Sequence, residues 1–138
     1  NGVVIIGGEL VGCETAEYLA DKGIKVTVVR RGPDMATKVR PAARTVLLER
    51  LNKKGATLIP GVSSYDEINK EGLVLTKNGQ KQVIPADTVV IAAGAKPNTS
   101  LLDSVKKEQP NTTAIGDLVE PRDVQAAINE GYRAGLKI

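Results

Sequence analysis

Two hydrophobic periods alternate along the first third of the chain. Val3-Val4-Ile5-Ile6 is an uninterrupted apolar run of strand length, as a strand covered on both faces requires. From Leu10 to Asp21 the pattern takes the helical repeat, with Cys13, Ala16, Leu19 and Ala20 on one side, and Gly23 ends it. Lys25 to Val29 reads as a second strand. The loop Arg30-Arg31-Gly32-Pro33-Asp34 leads to a second helix after Pro41, expected to turn Ala43, Val46, Leu47 and Leu51 inward and to stop before Gly55. Thr57-Leu58-Ile59 is a third strand, closed by Pro60-Gly61. The order β-α-β-α-β predicts right-handed crossovers and a parallel sheet.

From Val62 to Ile84 the helical repeat disappears, and three short strand-like runs take its place. Two of them, Leu73 to Lys77 and Gln80 to Ile84, flank Asn78-Gly79, the strongest short hairpin signal. The third strand therefore reaches the next parallel one, Asp87 to Ala92, through a β-meander instead of a helix. A loop containing Pro97 and Asn98, a short helix around Leu101 to Lys106, a strand at Thr112 to Ile115 and a last helix from Asp123 to Leu136 complete the chain. On that last helix Val124, Ala127, Ile128 and Gly131 share one side. The fold class is α/β, a Rossmann-like three-layer parallel sheet with a β-meander crossover. There are no internal repeats and no low-complexity tract.

The junction of the first strand and first helix carries the strongest chemical signal. Gly7-Gly8-Glu9-Leu10-Val11-Gly12 delivers glycines from a buried strand to a helix N-terminus, where unpaired backbone N–H groups and the helix dipole favour a phosphate. Gly7 suits the tight turn and Gly12 the close packing of helix on strand, but Glu9 stands where a middle glycine would let backbone approach a pyrophosphate. The bland alternative is a turn that uses glycine for packing alone. A P-loop shares the spacing of Gly7 and Gly12 but needs Lys and then Ser or Thr next, where this chain has Cys13-Glu14.

A domain that reads NAD places Asp or Glu at the tip of the second strand, about 20 residues past the glycines, on the ribose 2′-hydroxyl. Position 30 lies there and holds arginine, followed by Arg31. A guanidinium cannot accept a hydrogen bond but binds a 2′-phosphate, which favours NADP(H) over NAD(H); Lys38 and Arg40 would extend the patch. Solvated loop charges are the other reading of the two arginines. Ala92-Ala93-Gly94-Ala95-Lys96-Pro97-Asn98 leaves the C-terminal end of a buried strand, the edge at which ligands sit in open α/β sheets.

Composition narrows the chemistry. The 138 residues suit one domain with a single sizeable core. A net charge of +3, no basic run and 2% aromatic residues argue against nucleic acid, and the apolar runs are too short to span a membrane. Histidine is absent, which removes the commonest general base and metal ligand. The single cysteine, Cys13, has no partner for a disulfide or a zinc site, reads as a small packed residue and fits a reducing cytoplasm. With no catalytic side chain and no metal expected, any catalysis falls to a cofactor.

Taken together these stretches resemble the pyridine-nucleotide domain of the two-dinucleotide flavoprotein oxidoreductases. Gly7 to Glu14 matches that family's Gly-x-Gly-x-x-Gly-x-Glu apart from Glu9, and Ala93-Gly94-Ala95-Lys96-Pro97-Asn98 resembles its Thr-Gly-x-x-Pro-Asn link. Thr113-Ala114-Ile115-Gly116-Asp117 looks like its second flavin motif. The continuation from Glu120 to Gly131 is similar to the C-terminal region of old-yellow-enzyme-type NADH:flavin oxidoreductases and dienoyl-CoA reductases.

The resemblance implies that Gly7, Gly8, Leu10, Val11, Gly12, Ala93 and Gly94 line the cofactor, with Glu14 near its nicotinamide end. It makes Arg30 and Arg31 readers of a 2′-phosphate, and Asp117 a holder of the ribityl chain of FAD. It further implies an NAD(P)H-binding domain at 1–110 and a returning segment of an FAD domain at 111–138, both parts of a larger flavoenzyme that holds FAD and, in that branch, FMN. The fragment alone is then expected to bind nucleotide without turnover. Two rivals stand beside this reading. A nucleotide-sensing module needs neither the Pro97-Asn98 link nor Gly116-Asp117, and an S-adenosylmethionine-dependent methyltransferase expects an acid where Arg30 stands.

Overall fold

A computed structural model of the chain describes residues 2–137. The chain divides into two compact units, residues 1–93 and 94–138. The first unit contains β1 (Gly2–Ile6), α1 (Leu10–Asp21), β2 (Lys25–Val29), α2 (Pro41–Lys53), β3 (Thr57–Ile59), β4 (Ser64–Asn69), β5 (Gly72–Lys77), β6 (Gln80–Pro85) and β7 (Thr88–Ile91). Strands β3-β2-β1-β7 form one parallel sheet in that order.

The apolar run of β1 explains its place inside the sheet. On one side Val3 and Ile5 meet Cys13 and Ala16 of α1, Leu47 and Leu51 of α2, and Val26 and Val28 of β2. On the other, Val4 and Ile6 pack with Val29, Val62, Leu73 and Leu75. Covering both faces of one strand gives three layers: helices, parallel sheet, and the antiparallel meander β4-β5-β6. Val4, Ile5, Val26, Val28, Leu51, Leu73 and Leu75 are almost wholly buried, each contributing about 1.5–3 kcal/mol of hydrophobic stabilisation. The β5–β6 hairpin closes at Asn78 and Gly79 with φ of 53° and 74°, the two positive values a type I′ turn requires.

Helix α2 is rotated from its expected face. Leu47 and Leu51 are buried, but Ala43 and Val46 are exposed. The covered stripe runs through positions 44, 47, 48 and 51, the spacing of a helical face. Its first member is Arg44, whose Nε donates to the Met35 carbonyl at 2.7 Å, so a polar residue concealed the true phase of the pattern.

The second unit contains α3 (Leu102–Glu108), a 3₁₀ turn at Gly116–Leu118 and α4 (Val124–Gly135). Asp123 caps α4, its carboxylate accepting from the Ala126 N–H at 2.8 Å. The strand expected at Thr112 to Ile115 is not formed. A strand needs a neighbour for its backbone groups, and the described residues of this unit contain no strand for it to pair with. The apolar side of α4 is likewise exposed at Val124, Ile128, Tyr132 and Leu136.

Candidate functional site

The glycine turn lies at the C-terminal end of the parallel sheet, between β1 and α1. Gly7 has φ of 129°, open to glycine and strained for other residues, and its N–H donates to the Val29 carbonyl at 2.9 Å. A Cβ on Gly7 would stand 2.1 Å from the Ala92 carbonyl oxygen and 3.1 Å from the Ala93 nitrogen, so the exit of β7 presses against the turn. A Cβ on Gly12 would stand 1.8 Å from the Gly7 carbonyl oxygen. The first turn of α1 therefore lies directly on the tip of β1. The first bond closed by that helix is Cys13 N–H to the Glu9 carbonyl at 3.0 Å, which leaves the amides of Leu10, Val11 and Gly12 without an intrahelical acceptor.

Segment 30–40 folds over Gly8. The Ala36 N–H donates to the Gly8 carbonyl at 2.6 Å, with Ala36 itself at φ of 52°. Met35 is buried, and its sulfur would lie 2.3 Å from a Cβ on Gly8. The same Cβ would meet the Arg30 stem at 3.1 Å, and a Cβ on Gly32 would come 2.8 Å from Arg30 Nε. Arg30 is thus seated between two glycines that make room for it.

Its guanidinium is closed on the protein. Nη1 donates to the Asp34 carbonyl at 2.6 Å and Nη2 to Thr37 Oγ1 at 2.9 Å, and Nη2 lies 2.5 Å from Glu9 Oε1. Glu9, the N-cap residue of α1, makes no side-chain cap. Its Oε1 also accepts from the Thr37 hydroxyl at 2.7 Å, and its Oε2 accepts from the Lys38 N–H at 3.1 Å. Partial burial pushes the Glu9 carboxyl up, but the bonds from Thr37 and Lys38 and the charges of Arg30 and Lys38 outweigh it, leaving the group below its ordinary pKa. Arg31 lies over the Tyr65 ring at 5.1 Å, a cation–π contact.

The structure therefore brings Gly7, Gly8, Leu10, Val11, Gly12, Arg30 and Ala93 together at one sheet edge. Glu14 lies further along α1 with its side chain exposed. Arg31 points into its own aromatic contact. Gly94, with φ of 99°, and Asp117 belong to the second unit, where the Gly116 N–H donates to Glu130 Oε2 at 2.6 Å and Arg122 pairs with the same carboxylate. Thr37, Met35 and Ala36 escaped the sequence reading, since no spacing marks a hydroxyl, a thioether and an alanine as partners of a glycine turn. Lys38, expected to extend a cationic patch, bonds Glu9 through its backbone N–H, and its charge helps hold the Glu9 carboxyl down.

Residues 1–131 match the family described as pyridine nucleotide-disulphide oxidoreductase. The chain belongs to this family. Relatives in it include an NADH oxidase of Thermoanaerobacter brockii, 32% identical over 99% of this chain and 21% of that protein. A cinnamate reductase of Clostridium sporogenes is 34% identical over 99% of this chain and 21% of its own length. A solved complex of 2-naphthoyl-CoA reductase with 2-naphthoyl-CoA superposes with a TM-score of 0.92 at 32% identity, over 99% of this chain and 21% of that one. The chain thus spans about a fifth of these relatives. These matches set it among flavoprotein oxidoreductases and give the methyltransferase alternative no support. Among the described residues no helix is long and apolar enough to cross a membrane.

Proposed function

We propose that this chain is the nicotinamide-dinucleotide domain of a flavin-dependent oxidoreductase, and that it positions NAD(P)H for hydride transfer to a flavin held elsewhere in the parent protein. The observation that carries the reading is the glycine turn. With a Cβ on Gly12 only 1.8 Å from the Gly7 oxygen, α1 starts directly on the sheet edge, and its three open amides form a cradle for a pyrophosphate. Membership of the pyridine nucleotide-disulphide oxidoreductase family supports a dinucleotide as the ligand class.

In this reading Gly7, Gly8 and the backbone of Leu10, Val11 and Gly12 hold the pyrophosphate, while Ala93 borders the dinucleotide beyond β7. Glu14 stands toward the nicotinamide. When bound, the nicotinamide supplies a hydride, two electrons with one hydrogen, to the flavin. The chain's part is to bind, orient and exclude water, which asks for no acid–base side chain. We assign residues 1–110 to this nucleotide domain and 111–138, with Asp117, to a region that holds FAD in the parent. The buried, unpaired Cys13 thiol supports a reducing, cytoplasmic setting.

The test is a titration of the purified chain with NADH and with NADPH, followed by nicotinamide fluorescence. At least one of them should bind, and the chain alone should oxidise neither. Absence of binding of both up to millimolar concentration would refute the proposal.

A further inference from the structure

We propose that Glu9 performs the ribose-reading task that a carboxylate at the tip of β2 performs in NAD-binding domains, so that the Glu9–Arg30 pair makes the site prefer NAD(H) to NADP(H). The inference rests on the reading of the glycine turn as a dinucleotide site. It reverses the preference that Arg30 suggests when the sequence is read alone.

The two residues exchange places relative to the usual pattern. An acid is expected just after β2 and a glycine in the middle of the turn; here arginine follows β2 and glutamate sits in the turn. The fold cancels the exchange. Glu9 starts α1, but its carboxylate lies against Arg30, Thr37 and Lys38, all in the segment that follows β2. A carboxylate therefore stands over the tip of β2 after all, delivered from the opposite side. This is the space between the helix amides and the end of β2, where the adenosine ribose of a dinucleotide lies.

The chemistry of the pair favours a hydroxyl over a phosphate. An ionised carboxylate only accepts hydrogen bonds, through about four lone-pair directions. Arg30 and Thr37 engage Oε1 and the Lys38 N–H engages Oε2, which leaves Oε2 a further direction for a ribose hydroxyl. A 2′-phosphate brings close to two negative charges beside that carboxylate, and the guanidinium at the end of β2, Arg30, is already paired with it. Arg30 already holds Glu9, Thr37 Oγ1 and the Asp34 carbonyl, and Gly8 and Gly32 fix its path. Arg31 is drawn off to Tyr65. Arg30 is thus a positioning residue, and Glu9 determines specificity.

The experiment compares NADH and NADPH dissociation constants for the chain and for Glu9→Gln and Glu9→Gly. The unaltered chain should bind NADH roughly tenfold tighter or more, the scale of one charge-assisted hydrogen bond. Glu9→Gln should bring the two constants to within a few-fold of each other. Glu9→Gly, which releases Arg30, should invert the preference. Circular dichroism verifies that each variant is folded, and the ratio for the unaltered chain tests the proposal without any variant. A preference of that chain for NADPH, or a ratio that Glu9→Gln leaves unchanged, would overturn it while the dinucleotide reading stands. Binding of neither nucleotide would overturn both.

Discussion

Replacing Gly12 with alanine tests whether the approach of α1 to the glycine turn is as close as the structure has it. The new Cβ would stand 1.8 Å from the Gly7 carbonyl oxygen, and side-chain Cβ atoms essentially never come nearer than 3.0 Å to such an atom. The first turn of α1 must therefore retreat by at least 1.2 Å, the difference between those distances. It has nowhere to retreat cheaply, because Cys13 and Ala16 of the same helix are wholly buried against the sheet. A gap of even 0.5–1 Å forfeits a quarter to a half of each dispersion contact it opens. Overpacking costs about 1–3 kcal/mol, and the upper end applies because the obstacle is backbone. Alanine returns up to about 1 kcal/mol through helix propensity. The net loss should be about 2 kcal/mol. Gly131→Ala is the control: Gly131 is helical too, nothing lies within 4 Å of its added Cβ, and the change should stabilise α4 by about 0.5–1 kcal/mol. Because the chain has two compact units, native-state hydrogen exchange should be read at β1 for the first variant and at α4 for the second. If Gly12→Ala leaves protection of the β1 amides within about 0.5 kcal/mol of the unaltered chain, the close-approach argument is wrong.

Glu17 predicts an acid-sensitive tie between the first two helices. Arg50 donates to both its oxygens at 2.7 and 2.9 Å, and Lys54 approaches at 2.8 Å. The bonds from Arg50 and Lys54 hold the Glu17 carboxyl down at about 2, against an ordinary value of 4.5. A depressed carboxylate pKa stabilises the fold above the unfolded value, and that stability is lost as pH falls from about 4.5 through 2. Glu17→Gln should therefore cost about 1 kcal/mol in urea unfolding at pH 7, discounted for the exposure of Arg50, and the cost should vanish toward pH 2. Burial, with the charge of Glu9 next, pushes the Cys13 thiol up to about 11. An alkylating reagent at pH 8 should leave Cys13 unmodified in the native chain and label it fully in urea, as mass spectrometry would show.

Most elements of the first unit were legible because each follows from a local period or a local turn. The apolar run of β1, the helical repeat of α1 and the Asn78-Gly79 turn each decide their structure over a few residues. Local pattern does not decide the structure where the deciding partner lies elsewhere in the fold. Arg44 is polar by composition yet occupies the covered stripe of α2, because Met35 offers it a carbonyl. Thr112 to Ile115 has strand composition but no strand beside it among the described residues. The glycine turn was legible as a tight passage from β1 into α1, as the positive φ of Gly7 and the close packing at Gly12 require. Segment 30–40 was not, since its packing on Gly8 depends on the positive φ of Ala36 and on side chains that reach across elements.

Glu9 and Arg30 show why two departures from a motif do not simply add. Taken alone, a carboxylate in the glycine turn is a defect: facing a pyrophosphate about 4 Å away it would cost up to roughly 4 kcal/mol at an effective dielectric of 20. Taken alone, an arginine after β2 signals a 2′-phosphate. They lie 21 positions apart, and nothing in their spacing announces a contact. At 2.5 Å each removes the reason for the other's isolated reading. The guanidinium opposes the field that Glu9 would project onto the helix amides, so the cradle proposed for a phosphate keeps its polarity. The carboxylate in turn cancels the positive charge that a 2′-phosphate would seek. A dinucleotide bound as proposed would meet the field of a closed pair, with Glu9 Oε2 bonded to the Lys38 N–H. On the proposal above, such an acceptor suits an unphosphorylated ribose, with Glu9 as the group that reads it and Arg30 the group that holds Glu9 in place.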